Sequence, residues 1–247
     1  MEFLNQIIEL LNTGKTDELI ERIDSFLDEN PQYKTIDYRH FANPIEEILY
    51  SVYIGDVDSI KQLDLDEPLE EIYVIYSIAH MMKGRTDEAE RYLNTALEIN
   101  PVSAPILMRL CEFYQQEHKE EKLKDLSLAI MKYTYDTDLL TSSYFKLADY
   151  LFHTNQNMEL YDHLFNFFMF LKSGEAQKPV KEDIKYFRNN DVPVGINMEI
   201  IKILLYLIEV HTEQGMVNAV AYFKNILDDV SDFNEKLFRI ENEGEVI

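Results

Sequence analysis

Three phrases of this chain open on a glycine that directly follows a helix-length apolar pattern: Gly14-Lys15-Thr16-Asp17-Glu18-Leu19, Gly55-Asp56-Val57-Asp58-Ser59-Ile60 and Gly84-Arg85-Thr86-Asp87-Glu88-Ala89. A fourth glycine, Gly215, follows such a pattern as well. Glycine accepts the left-handed conformation that closes a helix. A Thr or Asp two or three residues later can cap the next helix, and the acids suit its N-terminal dipole. Each phrase therefore predicts a tight turn between two antiparallel helices. The far ends are marked too: Asn30-Pro31 and Asn100-Pro101 close the second helix of two such pairs, because proline cannot continue a helix.

Between these marks the apolar period is helical. Ile7, Leu10 and Leu11 recur at steps of three and four, as do Ile45, Ile48, Leu49 and Val52. No alternating run is bounded by a hairpin dipeptide such as Asn-Gly or Asp-Gly. The expectation is an all-α chain of roughly twelve to fourteen helices of about 8–17 residues.

A hairpin period of this length calls for a repeat search. Residues 70–103 run Tyr73-x2-Tyr76-Ser77-x2-His80, then Ala89-x3-Leu93, then Ala96 and Pro101, with Gly84 at the turn. This segment resembles a tetratricopeptide repeat, with Tyr for Trp, Ser for Gly and His for Tyr as departures. Ser77 and Ala89 are small where two helix backbones must approach, and Tyr73, Tyr76, Leu93 and Leu97 fill the space around them. Residues 104–137 are similar through Leu107, Leu110, Cys111 and Tyr114, with Leu123 where alanine is usual. Residues 141–172 are similar through Tyr144, Leu147, Ala148, Leu151, Leu160, Leu164 and Phe167. The segment 1–35 fits through Phe3, Leu10, Gly14, Leu19, Ile23 and Pro31, residues 41–69 form a weaker unit around Gly55, and 198–231 close the array. The resemblance implies a helical-hairpin repeat solenoid, an α/α superhelix.

On this reading residues 1–172 are tetratricopeptide-like repeats and 198–240 a C-terminal helical pair with a closing helix. Residues 173–197 fit no repeat. A polar loop from Lys172 to Pro179 leads to a short helix near Val180–Arg188, and the stretch reads as an insertion or hinge. The tail 241–247 has too little apolar content to pack and is expected to fray.

Charge narrows the function. With 46 acidic against 23 basic side chains the chain carries a net charge of −23. A reader of the phosphate backbone needs a basic stripe, so no nucleic acid is expected as a partner, and an anionic membrane surface is disfavoured. The opening Met1-Glu2-Phe3-Leu4-Asn5 shows no signal-peptide pattern. The longest apolar stretch, Ile200 to Ile208, is interrupted at Lys202 and too short to span a bilayer. A cytoplasmic location follows as the expectation, and the tryptophan-free, Lys/Ile/Asn/Glu-rich style points to a prokaryote.

Motifs for chemistry are missing. There is neither GxGxxG nor GxxxxGK[ST], no HExxH and no GxSxG. The six histidines are scattered, and only His153 and His163 are near neighbours, ten apart, which is no ligand spacing. Cys111, the single cysteine, occupies a small-residue position and reads as a buried hydrophobe. No cofactor, metal or catalytic residue is expected. An all-α hydrolase working with paired carboxylates stays open as an alternative, because 46 acids offer many pairs.

What a repeat array offers is a concave groove lined by its first helices. If the matched positions pack inward, the groove is lined by Val74, Ile75, Ile78 and Met81, then by Met108, Arg109, Glu112 and Gln115, then by Phe145, Lys146, Asp149 and Phe152. Exposed Val, Ile, Met and Phe would form an apolar patch of the kind that binds partners. Some tetratricopeptide proteins hold a partner's terminal carboxylate with Lys, Arg and Asn. The asparagines are missing here, so Arg109 and Lys146 alone make a poor case for that mode. The sequence points to a non-catalytic adaptor that binds a protein or peptide segment, basic or neutral in charge, with homo-oligomerisation through an exposed repeat face as a second binding mode.

Overall fold

The computed structural model describes residues 2–34, 38–55, 57, 61–62 and 68–243. Among them are twelve α-helices, and none is long and apolar enough to cross a membrane. The chain divides into two compact units, Met1–Leu110 and Cys111–Ile247.

The first unit begins with α1 (Glu2–Asn12) and α2 (Thr16–Glu29), followed by a 3-10 turn at Pro31–Lys34. A two-residue strand β1 (Tyr38–Arg39) leads to α3 (Pro44–Tyr53) and pairs in parallel with β2 (Lys61–Gln62). Then come α4 (Leu69–Met82), α5 (Thr86–Ile99) and the first part of α6 (Ala104–Gln116). The turns after α1 and α4 follow the glycine reading. Gly14 and Gly84 sit at φ +70° and +69°, and Lys15 N–H and Arg85 N–H reach back to Leu10 O and His80 O at 3.0 and 2.9 Å.

The capping differs from expectation. Lys15 and Arg85 occupy the N-caps, and no side chain caps α2 or α5. Thr16 and Thr86 are already the first helical residues, and the four acids Asp17, Glu18, Asp87 and Glu88 carry the dipole complement. Asn30 and Asn100 close these helices as read.

α4 is the centre of the unit. α1, α2 and α5 all pack on it, so Ile72, Tyr73, Ile75, Tyr76, Ser77, Ala79 and His80 are buried. Among the described residues of 41–69, α3 is followed by β2, a strand that the sequence did not announce. The turn phrase at Gly55 calls for a helix through Asp56 and Asp58–Ile60, which lie outside the described residues.

The second unit holds the rest of α6, a 3-10 turn at Glu120–Lys122, α7 (Leu123–Tyr133), α8 (Thr137–Thr154), α9 (Met158–Ser173), α10 (Val180–Asn189), α11 (Met198–Glu213) and α12 (Val217–Glu243). α8 packs on α7 and α9, α9 on α10, and α12 on α10 and α11. The α8–α9 turn is built without glycine. Asn155 and Asn157 take the left-handed region at φ 52° and 41°, which asparagine tolerates best among larger residues.

The stretch 173–197 is fastened to its neighbours by hydrogen bonds. The Tyr144 hydroxyl donates to Pro193 O at 2.9 Å and accepts from Gly195 N–H at 3.3 Å, and burial pushes this phenol's pKa up. The Asn234 amide accepts from Ile196 N–H at 2.8 Å and donates to Ile196 O at 2.9 Å. The tail reading is corrected in part: α12 continues through Glu243, and the Arg188 guanidinium forks onto Glu241 at 2.6 and 2.7 Å. Residues 244–247 lie outside the described residues.

Candidate functional site

The expected groove positions separate by unit. In the first unit Ile75 is only 8% exposed and belongs to the hydrophobic core, and Met108 is 6% exposed. Both are corrected from surface to interior. α4 is packed on several sides, so positions between the matched ones are consumed by packing. Val74 is half-buried against the same core, Ile78 and Met81 are half-buried, and Arg109 is exposed.

In the second unit the expected residues do come together. Phe145, Asp149 and Phe152 follow one another at steps of four and three along α8, on one face. Phe152 is 55% exposed. Lys146 Nζ donates to Gln115 Oε1, and Gln115 Nε2 donates to Asp149 Oδ2. Glu112 is half-buried. His153 extends this polar row, its Nδ1 lying 3.2 Å from Asp149 Oδ1.

Beside that row lies a feature the sequence reading did not assemble. Tyr161, Phe165, Phe168 and Lys172 recur at steps of four, three and four along α9. Their rings join those of α8: Phe152 to Tyr161 at 5.5 Å, Tyr161 to Phe165 at 5.9 Å, Phe165 to Phe168 at 6.5 Å and Phe168 to Phe145 at 5.0 Å. Lys172 Nζ sits 5.5 Å from the Phe168 ring centre. None of these five rings is fully buried. Phe167, one residue away, is wholly buried against Tyr144 and Phe187, and Phe170 turns to Lys236 of α12. The spacing Tyr161-x3-Phe165-x2-Phe168-x3-Lys172 was the available signal.

The buried carboxylates Glu46, Glu70 and Asp183 are tied down by hydrogen bonds. Asp183 accepts from the Asn166 amide and lies 2.7 Å from His163 Nδ1 and 3.8 Å from Lys178 Nζ. Burial raises its pKa against the lowering effect of those partners. Asn166 also accepts from Gln177 N–H and Lys178 N–H at 2.7 and 3.2 Å, so one side chain hooks the whole loop before α10. In the first unit, Glu46 accepts from Ala42 N–H at 2.9 Å and from Asn100 at 2.8 Å, and burial raises its pKa. Glu70 lies 2.8 Å from His40 Nδ1. These carboxylates fasten chain segments and open onto no described cleft. The acid-rich cleft of about 550 Å³ between the start of α8 and α12 is lined by Asp136, Asp138, Asp229 and Asp232, all exposed. Asp136 is engaged there as the N-cap of α8. Burial pushes the Cys111 thiol up to about 12, which leaves it protonated and unreactive. Among the described residues no three His, Cys, Asp or Glu side chains gather as metal ligands.

The arrangement on α8 and α9 is thus a partly exposed aromatic row edged by amide, ammonium and carboxylate groups. It can bury apolar side chains and satisfy a few polar ones. Among known proteins, no family model matches the chain and no curated protein matches it.

Proposed function

We propose that this chain is a non-catalytic, tetratricopeptide-like adaptor that binds a segment of another protein along the face formed by α8 and α9. The observation that carries this reading is the row of five rings, Phe145, Phe168, Phe165, Tyr161 and Phe152, left partly open to solvent. Aromatic side chains offer large contact area at low entropic cost and dominate binding surfaces. Gln115, Lys146 and Asp149 along the edge supply the polar contacts that fix register. The net charge of −23 favours a basic or neutral segment and speeds its encounter at low salt. A superhelical continuation of the hairpins, a cytoplasmic setting and a prokaryotic source belong to the same proposal. They rest on the repeat pattern of residues 70–103 and on the tryptophan-free composition.

The test uses a photocrosslinking side chain at position 152 to capture the partner in cells of the source organism. The identified partner is then titrated against Phe152→Asp and Lys146→Glu variants whose circular dichroism matches the native chain. Binding is expected to weaken at least tenfold, mainly through faster dissociation. A partner bound equally well by both variants places the binding surface elsewhere.

A further inference from the structure

We propose that α11 carries a self-complementary interface for a second copy of this chain, joined antiparallel about a two-fold axis. This surface is separate from the α8–α9 face and does not depend on it. α11 buries Ile200, Ile203, Leu204 and Leu207. At 100° per residue Met198, Leu205 and Thr212 lie away from this buried side, and Ile201 and Ile208 lie on the flank between the two, all within about 60° of Leu205. Met198 and Leu205 are 60% and 52% exposed, and Ile201 and Ile208 are half-buried. A helix that is apolar on both sides has a second face to cover.

The charges beside this stripe identify what covers it. Lys202 and Glu209 stand three residues before and four after Leu205, and helical geometry puts both on the same flank. The other flank holds Ile201 and Ile208. Let a two-fold axis pass between two copies of α11 at the level of Leu205. Lys202 of one copy then faces Glu209 of the other, offset by about 1.5 Å along the axis, and symmetry repeats the pair. Ile201 meets Ile208 in the same way on the far flank. Parallel helices would instead set both charges against the isoleucines. Lys202 now holds Glu199 at 2.9 Å on the exposed surface, and such an exposed pair is weak enough to rearrange. One helix from each copy makes a small interface, and sedimentation over a range of concentrations reads its strength.

The test is sedimentation equilibrium of the full chain at physiological ionic strength, where repulsion between two acidic molecules is screened beyond about 8 Å. The native chain is expected to dimerise. Leu205→Glu should leave the circular dichroism and melting temperature unchanged and be monomeric. Lys202→Glu and Glu209→Lys should each weaken association about tenfold or more, and the double reversal should restore it. A native chain that stays monomeric, a Leu205→Glu variant that still dimerises, or a double reversal that fails to recover overturns the proposal.

Discussion

The hairpins α4–α5 and α8–α9 each carry a line of aromatic side chains, yet they use it in opposite ways. In α4–α5 the rings of Tyr73, Tyr76, His80 and Tyr92 close on one another, with centres 4.1–6.0 Å apart. Tyr73, Tyr76 and His80 are buried, and Tyr76 donates its hydroxyl to Asp24. In α8–α9 the buried line is Tyr144 and Phe167, and a second line of five rings is left half-open beside it. A helix that packs on several neighbours spends its aromatics on the core. A hairpin with a side to spare leaves them partly open to solvent. The repeat pattern alone does not separate the two, because it describes the inward positions and is silent about what the others meet.

The largest effect should come from Ala89→Arg. Ala89 is fully buried in α5 at the hairpin with α4, where a long cation must overpack the crossing and lose its water. A loss of about 4 kcal/mol or more is expected, seen as collapse of the first unit's helical signal in urea. An unchanged midpoint would show that the two helices do not cross at Ala89.

Next in size is Asp183→Ala, which probes what holds the second hairpin. Removing the carboxylate leaves His163 and Asn166 facing an empty buried site and should cost about 3 kcal/mol. Limited proteolysis should then cut first in 173–179, the loop that Asn166 hooks. Cleavage elsewhere would mean that α10 is held by Phe187 and Ile184 without help from this cluster.

Much of this was legible in advance, and the failures have physical causes. The twelve helices, the turns at Gly14 and Gly84 and the ends at Asn30 and Asn100 follow from period and punctuation. The turn at Asn155 and Asn157 was harder to read, because asparagine is also a common surface residue. Ile75 and Met108 were misplaced because helical spacing gives a direction, whereas burial depends on which helices arrive from elsewhere in the chain. The pairs His40–Glu70, His163–Asp183 and Glu46–Asn100 join residues 20 to 54 positions apart. No local pattern encodes such pairs. The α9 ring row was readable at steps of four, three and four, since helical spacing turns Phe168 away from the face that carries Phe167.

A pH comparison separates the two histidine–carboxylate ties. His40 is raised above its ordinary pKa, first by its hydrogen bond to Glu70 and then, against burial, by the charges of Glu70, Glu46 and Glu71. Its charged form is favoured in the fold. That contribution is complete below about pH 6.5 and is lost as pH rises through the raised value. Asp183 is also raised, by burial, so the fold favours its protonated form and this carboxyl adds stability only as pH falls through its own raised value, in a more acidic window. Through His40 the melting temperature should be raised near pH 6 relative to pH 8, against an opposing contribution from buried His80, whose pKa desolvation lowers. His40→Gln should flatten that step and leave the acidic window intact. A step that survives the substitution would have to come from another titrating group.

The smallest effect tests the close-contact positions of the two hairpins against each other. Ser77 in α4 and Ala148 in α8 occupy the same place in the pattern, and both are buried. The Ser77 hydroxyl finds no hydrogen-bond partner among the described residues, so it loses water on folding with nothing in return. Ser77→Ala should therefore stabilise the first unit by about 0.5 kcal/mol. Ala148→Ser should cost the second unit about 1 kcal/mol for the opposite reason. Urea midpoints of the two variants read both signs at once. If Ser77→Ala proves destabilising instead, the hydroxyl is satisfied by a buried water, and the two crossings differ in hydration as well as in the fate of their aromatic rings.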